Sequence, residues 1–372
     1  MSAKIPILLM ARELHIGGSE RQMTETAKGL DRSLFEPHVG CFRPAGVRGD
    51  ELRDHGVIVT QWPVMSYRSM GAVRGARDIA RYIHRHRIAI VHTWDYAVGV
   101  YAIPIARLAT QALAVASQRS ERILIPAGYR RVLPAIDRLS HAIVVNSKFV
   151  ERQLISQGIA REKLKFCPNG IDLERFRRTP ADHPLTVGVV CALRPEKNLG
   201  VLIDAFALAR NTSKDVRLRI VGSGPELEKL RARAVEKGVA EMCSFEPATA
   251  DVPERLSAID IFVLPSRSEA FSNSLMEAMA CGCCAIASDT GGNPELIRHG
   301  ETGLLFPNED ATALAEALRR VIADGELRCR LAASGCLFIH GNFSNADAAR
   351  RMQEIYLRLM EDFSMPSLGR SA

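Results

Sequence analysis

The stretch Arg267-Ser268-Glu269-Ala270-Phe271-Ser272-Asn273-Ser274-Leu275-Met276-Glu277-Ala278-Met279-Ala280 follows an apolar run at 261–264 and passes into a helical pattern that stops at Gly282. Strand, polar loop and helix start, in that order, are the building unit of a parallel sheet, whose strands are covered on both faces and so read as nearly continuous apolar runs. The helix is expected to begin near Asn273 or Ser274. Its first N–H groups have no partner within the helix and favour an anion such as a phosphate. Glu269 falls on the loop and Glu277 eight residues later, inside the helix. Two carboxylates so spaced could grip hydroxyls on two parts of one ligand. The same residues carry a plainer meaning, because Ser274-Leu275-Met276-Glu277 also spells a capping box, in which Glu277 would only satisfy a backbone N–H.

Outward from this stretch, short β-branched runs alternate with helical periodicity. Strands are expected at 5–10, 38–42, 57–61, 88–92, 113–117 and 142–146, and then at 185–191, 217–221, 261–264 and 283–287. The alternation pauses at Pro168-Asn169-Gly170 and again at Thr179-Pro180-Ala181-Asp182-His183-Pro184, a proline-rich polar stretch of interdomain character. The 372 residues suit two domains at about 150 residues each. Two α/β, Rossmann-like doubly wound domains are therefore expected, 1–183 and 184–345, facing each other across a cleft at the carboxyl ends of their sheets. A helix within 346–372 is expected to pack back toward the N-terminal domain.

Composition excludes several classes. Hydrophobic residues make up 47% and charged residues 24%, which fits neither a disordered chain nor a multi-span membrane protein. The run at 5–10 is too short for a signal-peptide core, so a cytoplasmic address is expected. Nine cysteines are an odd number; the cluster Cys281, Cys283 and Cys284 lacks a second Cys/His pair at ligand spacing, so packing is expected there and no metal. Charge is uneven: residues 1–183 hold 28 Lys and Arg against 17 Asp and Glu, and the remainder 21 against 25. The positive first half points to an anionic partner, an acidic substrate or a membrane surface. Arg74, Arg77, Arg81 and Arg85 fall on one helical face beside Val73, Ala76, Ala80 and Ile83, and Arg130, Arg131 and Arg138 add to the charge. A solvated helix face is the plain meaning of such a stripe; the half-chain excess favours an anionic membrane surface or a phosphate-bearing acceptor.

Several further motifs accompany the Glu269–Glu277 segment. They are Ala287-Ser288-Asp289-Thr290-Gly291-Gly292, Glu295-Leu296-Ile297, Gly300-Glu301-Thr302-Gly303-Leu304-Leu305, Gly17-Gly18-Ser19-Glu20-Arg21, Pro168-Asn169-Gly170-Ile171-Asp172, Arg194-Pro195-Glu196-Lys197-Asn198 and Val221-Gly222-Ser223-Gly224-Pro225. Together they resemble the family-four (group 1) glycosyltransferases, retaining nucleotide-sugar enzymes with the GT-B fold. The resemblance implies that residues 1–183 form the acceptor side and 184–345 bind the nucleotide sugar. It places Glu269 on the donor sugar, Glu277 on the ribose hydroxyls, the backbone amides of Phe271 and Ser272 near the sugar, and Lys197 on the diphosphate. Asn273, at the helix start, joins the donor-binding set. Gly17 and Gly18 offer a backbone that can approach the diphosphate, a tight turn being the alternative. His92, at a strand end, is expected to contact the transferred sugar or orient the acceptor, with a hydrogen-bonded structural role as the alternative. Three positions depart from the pattern. Ala192 stands where an Arg is usual, leaving Arg194 to oppose the diphosphate; Cys284 replaces a Pro; and Trp94 replaces a second His.

The expected activity is transfer of a hexose or N-acetylhexosamine from a UDP- or GDP-linked sugar to a hydroxyl of a glycan or lipid-linked acceptor, with retention, in bacterial cell-surface polysaccharide or glycolipid synthesis. The nucleotide sugar would be a substrate, and no cofactor or divalent metal is expected, because Lys197, the helix start and Arg194 oppose the diphosphate charge. Partners are then the donor, the acceptor and an anionic membrane at the inner face of the cytoplasmic membrane, with no nucleic acid. A nucleotide-sugar epimerase on the same fold and a non-catalytic nucleotide-sugar-binding protein are the alternatives. A nicotinamide dehydrogenase fits poorly, since Leu227 stands where the third fingerprint glycine after Gly222-Ser223-Gly224 should lie.

Overall fold

The computed structural model describes residues 4–364 apart from 16, 44–45, 68, 180–182 and 213–214. Two compact units emerge, one from Met1–Gly170 with Asn345–Ala372 and one from Ile171–Ser344. The boundary expected after residue 183 thus lies at Gly170. Ile171 and Phe176 are buried in the second core, Arg178 donates to Asp260 Oδ1 at 2.9 Å, and the Thr179 N–H donates to Ser257 Oγ at 2.9 Å. Packing, and not proline content, sets the division. Residues 180–182 of the expected linker and 365–372 of the expected terminal helix lie outside the described residues.

The first unit is a seven-stranded parallel sheet of β1 (Ile5–Ala11), β2 (Phe35–Cys41), β3 (Ile58–Gln61), β4 (Ile90–Thr93), β5 (Leu113–Gln118), β6 (Ala142–Val145) and β7 (Leu164–Phe166). Their order is β3-β2-β1-β4-β5-β6-β7. Alternation along β1 shows why both faces are covered. Ile7, Leu9 and Ala11 pack with Met23 and Ala27 of the helix Gly18–Gly29 and with Met352, Tyr356 and Leu359 of the helix Asn345–Ser364. Leu8 and Met10 face Ile79 and Ile83 of the helix Met70–Arg85 and Val98 and Ile103 of the helix Tyr96–Ala109.

The second unit holds β8 (Thr186–Val190), β9 (Arg217–Val221), β10 (Cys243–Glu246), β11 (Ile261–Leu264), β12 (Cys284–Ser288) and β13 (Leu304–Phe306), in the order β10-β9-β8-β11-β12-β13. The register Ile261↔Cys284 through Leu264↔Ala287 sets two fully buried strands side by side. Between them runs the helix Asn273–Ala280, ended by Gly282 at φ +72°. β7, β10 and β13 were not among the expected strands. Each is a sheet edge, with a neighbour on one side only, and so carries a short or partly polar sequence.

Candidate active site

In each sheet the strand order reverses once, between β1 and β4 in the first and between β8 and β11 in the second. Open α/β sheets bind ligands outside the carboxyl ends at that reversal, because the loops on either side diverge there. In the second unit the chain leaving β8 makes a short turn, Pro195–Lys197, and the chain leaving β11 forms the loop that carries Glu269. The Arg267 N–H donates to the Glu196 carbonyl at 2.8 Å and ties the two together. Lys197 Nζ then donates to Glu269 Oε1 at 2.5 Å, and Ser266 Oγ donates to the same oxygen at 2.7 Å. The Lys197 and Glu269 side chains are only 18% and 10% exposed. Burial opposes the ammonium charge, but the charge and hydrogen bond of Glu269 outweigh it and hold Lys197 above the usual lysine range.

The Glu269 loop rests on glycine. Gly291 has φ +58°, and a Cβ there would stand 1.8 Å from the Glu269 carbonyl oxygen. The Gly292 N–H donates to that carbonyl at 2.9 Å. Beneath, Ser288 Oγ donates to the Ser266 carbonyl at 2.6 Å and Asn293 Nδ2 to the Ser288 carbonyl at 3.0 Å. The loop after β8 is backed in the same way: Cβ atoms on Gly222 and Gly224 would lie 1.9 and 2.2 Å from the carbonyl oxygens of Cys191 and Leu193. Ser266 and this glycine bed were not singled out from sequence for a role. Paired glycines just past strand ends are the signal that could have found the bed.

The helix Asn273–Ala280 is capped by Ser272, whose side chain accepts from the Leu275 N–H at 3.3 Å. The Ser274–Glu277 capping box therefore does not form: Ser274 lies inside the helix, and Glu277 is buried a turn further on, at 6% exposure. Asn273 is the first helical residue, and Phe271 turns inward against Phe343, ring centroids 5.6 Å apart. Arg194, expected to oppose the diphosphate in place of the missing Arg, is 65% exposed and lies 3.9 Å from Glu196. Cys281, Cys283 and Cys284 are buried; burial pushes the Cys281 and Cys284 thiols up to about 12 and the Cys283 thiol well above its ordinary value. Among the described residues no group of three His, Cys, Asp or Glu is placed to hold a metal ion.

The first-unit candidates fare differently. Gly17 caps the helix Gly18–Gly29, but a Cβ on it would stand 2.0 Å from Glu20 Oε2, so the helix's own carboxylate covers the backbone expected to be open. Burial raises the Glu20 pKa. His92 is fully buried: Nδ1 lies 2.7 Å from Tyr356 Oη and Nε2 2.8 Å from Ser117 Oγ. Burial first, and then Arg119, hold its pKa well below the usual value. Both ring nitrogens are engaged and the side chain is enclosed, the arrangement that the hydrogen-bonded structural alternative describes. On the helix Met70–Arg85 the buried line is Ala72, Gly75, Ile79 and Ile83, while Val73 is 46% exposed beside the exposed Arg74, Arg77, Arg81 and Arg85.

Two family models match in succession, "Glycosyltransferase Family 4" over residues 16–175 and "Glycosyl transferases group 1" over residues 171–335. A GDP-mannose-dependent alpha-(1-6)-phosphatidylinositol monomannoside mannosyltransferase of Mycobacterium tuberculosis is 29% identical over 281 residues, 68% of this chain and 72% of that protein. A D-inositol 3-phosphate glycosyltransferase of Nocardia farcinica is 30% identical, covering 75% of this chain and 63% of that one. Among solved structures, Anabaena HepE in complex with UDP-glucose matches with a TM-score of 0.84 at 21% identity, over 95% of this chain and 100% of the other, a likeness of fold.

Proposed function

The chain belongs to the group 1 glycosyltransferases of family four, whose two models together run from residue 16 to residue 335, and on that premise we propose that it moves a hexose or N-acetylhexosamine from a UDP- or GDP-linked sugar to a hydroxyl of a glycan or lipid-linked acceptor, with retention. The supporting observation is the Lys197–Glu269 pair at the β8–β11 reversal, beside the amino end of the helix Asn273–Ala280. When a donor binds, its diphosphate takes the Lys197 ammonium, the helix amino end adds to the same field, and Glu269 turns to the hydroxyls of the sugar. Glu277 takes the ribose hydroxyls, as the family resemblance implies. The bond from the anomeric carbon to the diphosphate oxygen breaks, the acceptor oxygen attacks from the same face, and the departing diphosphate oxygen takes the acceptor's proton. No covalent intermediate is needed, and the departing charge is met by Lys197 without a metal ion.

The mycobacterial relative is named for GDP-mannose and a phosphatidylinositol mannoside, which supports surface glycolipid or polysaccharide assembly at the inner face of the cytoplasmic membrane. Among the described residues no helix is long and apolar enough to cross a membrane. The exposed arginines of the helix Met70–Arg85 provide a peripheral contact with anionic lipid.

A panel of UDP-, GDP- and ADP-sugars followed by thermal shift tests the donor, because a ligand that binds only the native state raises the midpoint. A rise with one nucleotide class, with nucleotide release quickened by an acceptor extract and an axial product anomer in proton NMR, is the expected result. No rise with any of them would remove the proposal. Release without transfer, or inversion, would remove the retaining transfer step.

A further inference from the structure

Arg119 stands just past β5 as a positive charge without an anion. It pairs with no carboxylate among the described residues, although it is drawn partly out of water. Its Nη1 donates to Asn169 Oδ1 at 2.7 Å, its guanidinium carbon lies 4.1 Å from the centre of the Trp94 ring, and its Nε has no partner among the described residues. The ionisable groups that face it are Cys167, Tyr356 and His92. Burial holds all three uncharged, raising the thiol and the phenol and lowering the imidazole. Burial also brings Arg119 itself down to about 10. Leaving a guanidinium uncompensated in such surroundings is costly, and apolar residues of similar volume would fill the space at less cost.

Its neighbours repeat the pattern. Thr93 Oγ1, Trp94 Nε1 and Asn146 Oδ1 are buried without hydrogen-bond partners among the described residues. Thr93 ends β4, Trp94 follows it, Arg119 follows β5 and Asn146 follows β6. These three strands are adjacent, so their carboxyl ends gather a cation and three further polar atoms that are unsatisfied among the described residues. Buried polar groups are nearly always paired, and a cluster of exceptions at the carboxyl ends of a parallel sheet marks a place for a polar ligand. A guanidinium presents parallel N–H donors that match an oxyanion, which a neutral hydroxyl cannot equal.

We propose that the carboxyl ends of these three strands bind an oxyanion, phosphate or carboxylate, carried by the acceptor, with Arg119 as its principal donor. The word acceptor rests on the glycosyl transfer proposed above; the oxyanion site itself does not. Trp94 indole N–H adds a donor, and Asn146 Oδ1 takes a hydroxyl of the sugar that bears the oxyanion. Asn169, with Asn146 Nδ2 at 3.4 Å from its oxygen, positions the guanidinium.

The chain has two tryptophans, so W62F leaves Trp94 as the sole indole reporter beside Arg119. The W62F protein is titrated with glucose 1-phosphate, glucuronate, inorganic phosphate and uncharged methyl glucoside. A saturable change in emission is expected, with a Kd at least about tenfold lower for a charged sugar than for methyl glucoside, the scale of a charge-assisted hydrogen bond. The preferred probe distinguishes phosphate from carboxylate. Adding R119Q should abolish the response and R119K should weaken it. If R119Q fails to fold by circular dichroism, the comparison of charged with uncharged sugars on W62F alone decides. Equal responses to both, no response to any probe, or an unchanged response in folded R119Q would overturn the proposal. Thermal shift with nucleotide sugars is run on the same protein: donor binding with a silent Trp94 sinks this site alone, while a Trp94 response without donor binding sinks the transfer activity and spares the site.

Discussion

Lys197 and Glu269 form an ion pair that is largely withdrawn from water. Removing one partner of a largely buried pair typically costs about 3–5 kcal/mol, most of it the penalty of the charge left behind. K197M should therefore lose stability on that scale and also lower kcat/KM by about a hundredfold or more, as expected when a group opposing developing charge is removed. The wild-type enzyme should keep its activity in excess chelator. Activity lost to chelator and restored by magnesium would show that Lys197 does not suffice. The alkaline sign follows from the raised pKa: the folded lysine holds its proton more tightly than the unfolded one, so the pair's stabilisation is full below the usual value near 10.4 and fades as pH rises through the higher folded value. His92 works in the opposite direction. Its folded pKa lies well below the ordinary 6.5, so its contribution is full above that value and falls below it, where only the unfolded chain takes the proton, by up to about 1.4 kcal/mol per pH unit. Between pH 6.5 and 5 the urea midpoint read by tryptophan emission should drop, and H92Q should flatten that drop; an unchanged slope in H92Q would refute the assignment. His38 and His141 are lowered by burial too and carry the rest of the slope. At this scale the sequence was legible where residues are close along the chain. Glu269 and Glu277 were singled out on their loop and helix, but the pairing of Glu269 with Lys197 spans 72 positions, and the hydroxyl that buries His92 comes from Tyr356, 264 positions away.

The helix Met70–Arg85 divides its surface between an inward line of Ala72, Gly75, Ile79 and Ile83 and an outward row of Arg74, Arg77, Arg81 and Arg85, with Asp78 paired to Arg81 at 2.6 Å. Met70 and Val73 are exposed at its start, so apolar side chains and cations share one surface. Basic residues near an anionic bilayer contribute about 1 kcal/mol each, within a Debye length of about 8 Å at physiological salt. Replacing the four arginines with Gln should cut co-sedimentation with anionic vesicles at 50 mM salt by roughly a hundredfold or more in apparent affinity. Equal binding by the variant, or wild-type protein that ignores such vesicles at low salt, would leave a soluble acceptor in their place. Elements were legible from sequence in proportion to how completely they are enclosed. Strands β8, β11 and β12 were expected almost where they lie, because doubly covered strands are apolar nearly throughout, and β9 was found from the apolar Leu218, Ile220 and Val221 although it also carries Arg217 and Arg219. Leu164-Lys165-Phe166 and Cys243-Ser244-Phe245-Glu246, at sheet edges, give no comparable run. The helix after β11 was placed correctly, while its cap fell two residues earlier than the Ser274 box, since Ser272 already supplies the side-chain oxygen that the first turn needs.

Across the whole chain, the first unit is interrupted and the second is not. In the first, a Cβ on Gly170 would stand 2.8 Å from the Asn345 Cα; in the second, the Ile171 N–H donates to the Phe343 carbonyl at 2.8 Å. The chain thus leaves and re-enters each unit at neighbouring points, which composition could not reveal because the crossing at Gly170 precedes the proline-rich stretch. Met352, Tyr356 and Leu359 are at most 1% exposed in the first core, and each fully buried side chain of this kind contributes about 1.5–3 kcal/mol. Their sum is comparable to the whole stability of an ordinary domain, about 5–15 kcal/mol. A chain ended after Ser344 should show solvent-exposed Trp62 and Trp94, both in the first unit, while nucleotide sugars still raise the midpoint of the second. Native tryptophan emission from that truncated chain would show that the last helix is dispensable. The same arrangement sets an order in time. A ribosome adds about 5–20 residues per second, so the half made first stays unfinished for roughly 10–40 s after Gly170 has been added, until Tyr356 has been made and can cover His92. The half made second is complete before it, and a nascent chain of this kind needs shelter at its beginning, where synthesis is oldest.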